Sequence, residues 1–417
     1  MRCLACLWFL WVVALGQTPR WWKGNLHTHT LWSDGDDFPE MIAESYRDRG
    51  YHFLALSDHN TLAVGERWIA VKAVGERART EPWRASVRPR DAWAAYLRRH
   101  GPGWVQVRTN GTSGLLEVRL KPHDEYRALV EERGRFLLIQ AEELTQAAAN
   151  QRQVHLGAVN LPEALPAQSG ATVPEVIRHA LAAVAGASAR AGRPVLVHVN
   201  HPNYRWGVTA EDLAAVVDER FFEVWNGVDG DNDPGDAGHP STDEIWDIAN
   251  ALRLGGMGVA PLYAVATDDS HDYQGNERRA PPFRAWIQVR AAHLTPESLI
   301  RAMEAGDFYA STGVVLEDVQ FDPARRRLSL RIQRRPGERL VTRFIGTRRG
   351  VSLAGRPRRD ASGRVLETTL DYGCDDGPRI GEVFAEETGT APAYEFRGDE
   401  LYVRAVVVSS RRPGVPS

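Results

Sequence analysis

The sequence predicts an α/β protein: a (β/α) barrel of seven strands within residues 22–310, followed by a small β-sandwich over 314–417. Three observations lead there. Up to residue 310, short apolar runs that end in polar residues alternate with amphipathic helical stretches, the pattern of repeated βα units. The polar ends of those runs hold most of the histidines and carboxylates of note, as in a barrel whose site sits at the strand carboxyl ends. From Val314 the pattern changes to strand-like segments (VVLEDVQF, LSLRIQ, LVTRFIG, VLETTLDY, LYVRAVVVSS) joined by Gly, Pro and Asp turns.

The first segment reads as a targeting signal. Arg2 precedes the apolar run 4–15 (LACLWFLWVVAL), which falls short of the roughly 20 residues a spanning helix needs, and Ala14-Leu15-Gly16 resembles a small-x-small cleavage site. The expectation is a signal peptide over 1–16 and an exported chain, periplasmic or secreted, with anchoring by an uncleaved N-terminus as the alternative. Cys3 and Cys6 fall inside this segment, so Cys374 stands alone in the mature chain and no intrachain disulfide is expected. Strands are expected at 23–28, 51–56, 136–139, 154–159, 194–199, 221–225 and 262–266, with helices at 39–49, 173–185 and 242–254 among them. Residues 80–126 mix Trp, Pro, Gly and Arg without a clean period and read as an insertion over the barrel mouth. The C-terminal part has no histidine, which favours a packing or oligomerisation module over a catalytic one.

Composition excludes several classes. At 417 residues and 43% hydrophobic the chain can bury a sizeable core without staples. Its 51 basic and 54 acidic residues nearly cancel, so no global field recruits nucleic acid or an anionic membrane. Beyond residue 16 no apolar stretch is long enough to span a bilayer. A small-molecule or nucleotide substrate is the expected partner; the sequence leaves the oligomeric state open.

The chemistry lies in where the histidines fall. His27 and His29 are two apart, so in an extended strand both rings face the same way and can chelate one ion. Asp34 follows in an SDG turn, Asp58-His59 ends the second expected strand, and Asp269-Ser270-His271 repeats the two-residue spacing with one oxygen and one imidazole. Of Glu142 and Glu143, either of which can bridge two cations, Glu143 is favoured. With His155 and His201 at later strands, the set points to a multinuclear site for borderline divalent ions such as Zn, Mn or Fe.

The segments GNLHTHTLWSDGD, LALSDHNT, AEELT with VHLGAVNL, VHVNHPN and ATDDSHDY resemble, in order, the polymerase and histidinol phosphatase (PHP) family of metal-dependent phosphoesterases. The likeness covers residues 22–310, and NHPNYRW, STDEIWD, GDFYASTG and GDELYVRA are similar to an exported branch that includes carbaryl-hydrolase-like proteins. It implies a distorted seven-stranded, TIM-like (β/α) barrel holding up to three metals. One would be held by His27, His29, Glu143 and Asp269, a second by Glu143, His155 and His201, and a third by Asp34, His59 and His271. His198, earlier on the strand leading to His201, is the alternative to His201, as Glu142 is to Glu143.

Two cations sharing a carboxylate can hold a hydroxide between them, with the pKa of bound water lowered toward about 7. Asp58, Asp268 and His271 are candidates to protonate a leaving oxygen. Arg205 can clamp an anion, Glu223 and Asn226 can line the pocket, and Trp206, Trp225 and Tyr273 can stack on a ring or close the mouth. The expected function is a phosphoesterase, including phosphodiesterase or nuclease-like activity. The alternatives are hydrolysis of a carbamate, ester or amide by the same metals, or a non-catalytic metal-bound scaffold.

Overall fold

The computed structural model describes residues 18–74, 92–274, 279–373 and 377–411. The expected signal segment, Cys374 and residues 80–91 of the expected insertion lie outside them.

The alternation read from the sequence gives β1 (Arg20–Asn25), α1 (Pro39–Asp48) and β2 (Phe53–Leu56). The insertion starts earlier than expected and folds as a separate antiparallel sheet of β3 (Arg67–Ala70), β4 (Val107–Thr109) and β5 (Leu116–Leu120), with α2 (Ala92–Trp104) beside it and α3 (His123–Val130) after it. The chain then runs through β6 (Leu137–Ala147), β7 (Gln153–Val159), α4 (Val173–Ala191), β8 (Leu196–Val199), α5 (Ala210–Ala215), β9 (Phe221–Asn226), α6 (Thr242–Ala251) and β10 (Tyr263–Thr267). After these come β11 (Trp286–Ala291), α7 (Pro296–Glu304) and β12 (Phe308–Ser311). Helix starts follow local chemistry: Thr172 with Glu175 and Ser241 with Glu244 form reciprocal capping boxes at α4 and α6.

One nine-stranded sheet runs β10-β9-β8-β7-β6-β2-β1-β11-β12. Its middle is brought nearly full circle, because Thr28 just past β1 bridges Ser270 just past β10, with His29 N donating to the Ser270 carbonyl at 2.9 Å and Asp269 N to that of His27 at 3.0 Å. The strictly repeated βα pattern is corrected at two places, the first being β11, a strand outside the seven expected, which runs antiparallel to both β1 and β12. At the second, β6 and β7 form an antiparallel hairpin, and β7 is also antiparallel to β8. The link between β6 and β7 is far too short for the dozen or more residues a parallel crossover takes, so the second strand has to return alongside the first. β2 and β8 are buried along their whole length, as strands covered on both faces are.

The C-terminal part comprises two three-stranded sheets. β13 (Leu316–Asp322), β14 (Arg327–Ile332) and β17 (Ala393–Glu395) form one; β15 (Leu340–Arg348), β16 (Glu382–Thr388) and β18 (Glu400–Ser409) form the other. They share a core of Leu316, Leu330, Ile332, Leu340, Phe344 and Tyr394. VLETTLDY is not one of these strands. It lies along the barrel instead, where Tyr372 joins the core cluster of Leu156, Val176 and Leu213 and donates its hydroxyl to Glu211 at 3.0 Å. Arg404 on β18 adds a bidentate ion pair to Asp247 on α6, at 2.7 and 3.0 Å. Among the described residues no helix is long and apolar enough to cross a membrane.

Candidate metal centre

The polar ends of the barrel strands converge. Just past β1, Thr28 bridges Ser270, and His27 and His29 on either side of it both face Asp269, which adopts a left-handed φ of 46° after β10. His27 Nε2 and His29 Nε2 lie 3.1 and 3.0 Å from Asp269 Oδ1, and each lies 3.4 Å from Glu143 Oε2. Donors about 2.0–2.1 Å from one four-coordinate ion sit roughly 3.3–3.4 Å apart, so these separations suit a shared cation. His29 Nε2 and Asp269 Oδ1 are buried without a hydrogen-bond partner despite these approaches, while Glu143 Oε2 also has His59 Nδ1 at 2.7 Å. Unpaired buried polar atoms cost about 1–3 kcal/mol each, and convergent ones fit a cation that all of them face.

Glu143 presents its other oxygen to a second pair. Oε1 lies 3.1 Å from His155 Nδ1 and 3.2 Å from His201 Nε2, and it accepts the Asn200 amide at 2.9 Å. The hairpin makes this possible, since reversal of β7 carries His155 back beside the Glu143 strand. A third group surrounds Asp34 Oδ1: His271 Nε2 at 3.3 Å, with His59 Nε2 and His29 Nδ1 at 3.7 Å. This group is the open one, with Asp34, His59 and His271 side chains 52%, 29% and 12% exposed, whereas His27, His29 and Glu143 are at 0%.

Both ambiguous pairs separate by position. Strand alternation turns Glu142 to the opposite face, where it accepts the Leu165 N–H and burial lifts its carboxyl to about 7. His198 is packed against Gly157, where any Cβ would meet its ring at 2.3 Å, and burial holds it down at about 4. Burial also holds the His29 ring at about 3, with His271 and His59 adding to the shift, so it is the neutral form that donates a lone pair. For Glu143 burial works upward, but the His59, His27 and His155 rings around it more than reverse this and keep it ionised.

Other expected site residues take different positions. Glu223 is fully buried beneath the cluster and cannot line a pocket: Oε1 meets His27 Nδ1 at 2.8 Å and Thr267 Oγ1 at 2.7 Å, while Oε2 accepts the His201 N–H and the Asn226 amide. Asn226 also donates to Asp269 Oδ2 at 3.1 Å, so it too orients members of the cluster. Asp58, just past β2, is engaged by the loop after β1, accepting from Thr30 N, Ser33 N and both hydroxyls. Asp268 accepts the Tyr46 hydroxyl and the N–H groups of Phe283, Arg284 and Ala285, and its carboxyl is lifted by burial to about 6. Neither faces the cluster, and His271 remains as the one leaving-group candidate that does. Its Nδ1 meets the Asp269 carbonyl at 2.8 Å, which fixes the proton there and leaves Nε2 toward Asp34.

Arg205 is exposed at a left-handed φ of 50°, its guanidinium 5.3 Å from the Tyr204 ring, which packs against His155 and His201. Trp206 is stacked on His239, Trp225 faces the C-terminal sheets, and Tyr273 donates to the His29 and Ser270 carbonyls. Sequence reasoning missed Asn200, which follows the HVN strand end without a pattern of its own, and Asp231. The latter lies in the DGDND run after β9, where a succession of loop acids gave no spacing to read.

No protein-family model matches the chain, and no curated protein matches it. Among solved structures, one from Bacteroides vulgatus is a two-domain protein containing a predicted PHP-like metal-dependent phosphoesterase. It is 14% identical, with 91% of this chain and 88% of that one covered, at a TM-score of 0.39. Another, a candidate metal-dependent phosphoesterase from Bifidobacterium adolescentis, is 14% identical over 63% of this chain and 94% of that one, at a TM-score of 0.34. The chain is thus similar, at low identity, to structures described as metal-dependent phosphoesterases, one of them PHP-like.

Proposed function

We propose that the protein is a metal-dependent phosphoesterase acting on a small-molecule or nucleotide phosphate ester, with up to three divalent ions (Zn, Mn or Fe) at this centre. The observation that carries the reading is the two-sided carboxylate of Glu143, with His27 and His29 on Oε2 and His155 and His201 on Oε1. Divalent ions held there supply Lewis acidity and a water that ionises near neutral pH. The chain's own part is to hold donors rigidly and to keep bulk water from the buried pair. Asp34, His59 and His271 form the side open to solvent, where substrate oxygens arrive, and Arg205, exposed beside the Tyr204 ring that packs on His155 and His201, serves as an anion clamp. Export of the mature chain, read from residues 1–16, belongs to the same proposal.

The test uses the full mature chain loaded with Mn or Zn and assayed in parallel on a phosphomonoester, a phosphodiester and an aryl carbamate, with His27→Ala as control. Phosphate-ester turnover that disappears in the variant is the expected result. Carbamate turnover with inert phosphates would move the chemistry to carbon, and silence on all three with metal bound would leave a scaffold.

A further inference from the structure

The loop between β9 and α6 holds a carboxylate that the expected ligand sets do not contain. Asp231 is 5% exposed, and one of its oxygens lies within 4.8 Å of donor atoms of both His201 and Asp269. The loop is tied on both sides of it. Asn203 and Asn232 exchange amide-to-carbonyl bonds at 3.0 and 3.3 Å, which joins the loop to the segment that carries His201. Asp233 accepts the Asn226 N–H at 2.7 Å, and Gly230 and Asn232 take left-handed φ values of 115° and 62° on either side of Asp231. With its neighbours so engaged, Asp231 itself accepts no hydrogen bond from the described residues.

A carboxylate taken out of water costs several kcal/mol unless it meets a counter-charge or donors. Here the charges that act on it include two more carboxylates, Asp269 and Glu223, against the His201 and His27 rings. Such a side chain has a physical reason to be there if a cation stands between it and its neighbours. We infer that Asp231 is a further ligand of the ion that His201 holds, which makes that donor set richer in carboxylate than the sequence resemblance implies. The inference rests on the metal-centre reading above. Added hard oxygen shifts such a site toward Mn or Fe relative to Zn.

The experiment measures Mn bound by the EDTA-stripped, full mature chain, by spin resonance of free ion during titration, for wild type, Asp231→Asn, Asp231→Ser and His27→Ala. Thermal midpoints are taken with EDTA and with Mn. Both Asp231 variants should weaken one class of Mn site by at least about tenfold and leave the remaining sites intact. In EDTA they should melt no lower than wild type, since a repelled carboxylate has gone, but they should gain fewer degrees on adding Mn. A ligand alone gives that reversal; a merely structural aspartate lowers both midpoints. Unchanged Mn number and affinity in both variants, with His27→Ala impaired, overturns the role of Asp231 and leaves the metal centre standing. Absence of Mn binding by wild type overturns both.

Discussion

His27 Nδ1 lies 2.8 Å from Glu223 Oε1, and solvent reaches neither side chain. The contact fixes which ring nitrogen carries the proton and turns Nε2 toward Asp269 and Glu143. Glu223→Gln replaces a charged acceptor by an amide at the same place. The expected result is a loss of about 10- to 100-fold in metal affinity, read by dialysis against graded chelator. Undiminished ion retention would falsify the orienting role.

Adjacent glutamates on β6 should behave as opposites. Glu143→Gln removes the carboxylate that both ligand groups share, and turnover should fall by well over 100-fold, beyond the range for partners that merely orient a ligand. Glu142→Gln alters the other face and should stay within about twofold of wild type. Parallel steady-state assays at saturating Mn decide this; equal losses would mean that strand alternation does not separate the two residues.

Much of the candidate centre is legible because its candidate donors sit in rigid spacings. HTH and DSH place two donors on one face or one turn, and the strands that carry them were close to where apolar runs put them. What escaped depends on conformations that a spacing does not encode. The left-handed backbone at Asp269, the return of β7 in a hairpin, and the loop that holds Asp231 each turn a side chain in a direction no periodicity fixes. Asp58, Asp268, Glu223 and Asn226 were found as polar residues near strand ends, but their roles follow from which donors surround them, and those lie far off in sequence.

Arg205 tests how the substrate is held. If its exposed guanidinium clamps an anionic ester, Arg205→Ala should raise KM about tenfold or more, corresponding to a charged hydrogen bond of roughly 1.5–3 kcal/mol, with kcat little changed. The same variant should leave KM for a neutral aryl ester alone. An equal effect on both substrates would point to loop damage.

Glu219 gives the fold a pH dependence that is separate from the metal centre. Burial pushes its carboxyl from an ordinary 4.5 up to about 8, although it accepts the Phe221 and Arg220 N–H groups. The folded state therefore binds more protons than the unfolded chain between those values. Its contribution is fully present below 4.5 and is lost as pH rises through about 8. Denaturant melts of Glu219→Gln and wild type should diverge in favour of the variant, by on the order of a few kcal/mol, between acidic and mildly alkaline pH. A pH-independent difference would rule this out.

The Arg404 to Asp247 pair ties the C-terminal sheets to α6, with Tyr402 donating to the same carboxylate at 2.8 Å. Arg404→Met leaves Asp247 buried without its cation and should cost about 3–5 kcal/mol. Asp247→Asn in the Arg404→Met background should restore part of that loss, which a double-mutant cycle on unfolding free energies measures.

The seat of Tyr372 among barrel residues bears on how the chain acquires its structure during synthesis. The cluster it joins includes Leu156, Val176 and Leu213, all made long before residue 372 leaves the ribosome. Until then this layer lacks one of its members, and Glu211 lacks the hydroxyl it accepts. A nascent chain halted short of that point carries a barrel with an apolar flank open to water and to other chains, so this layer of the barrel closes only after β13, β14 and β15 have been made.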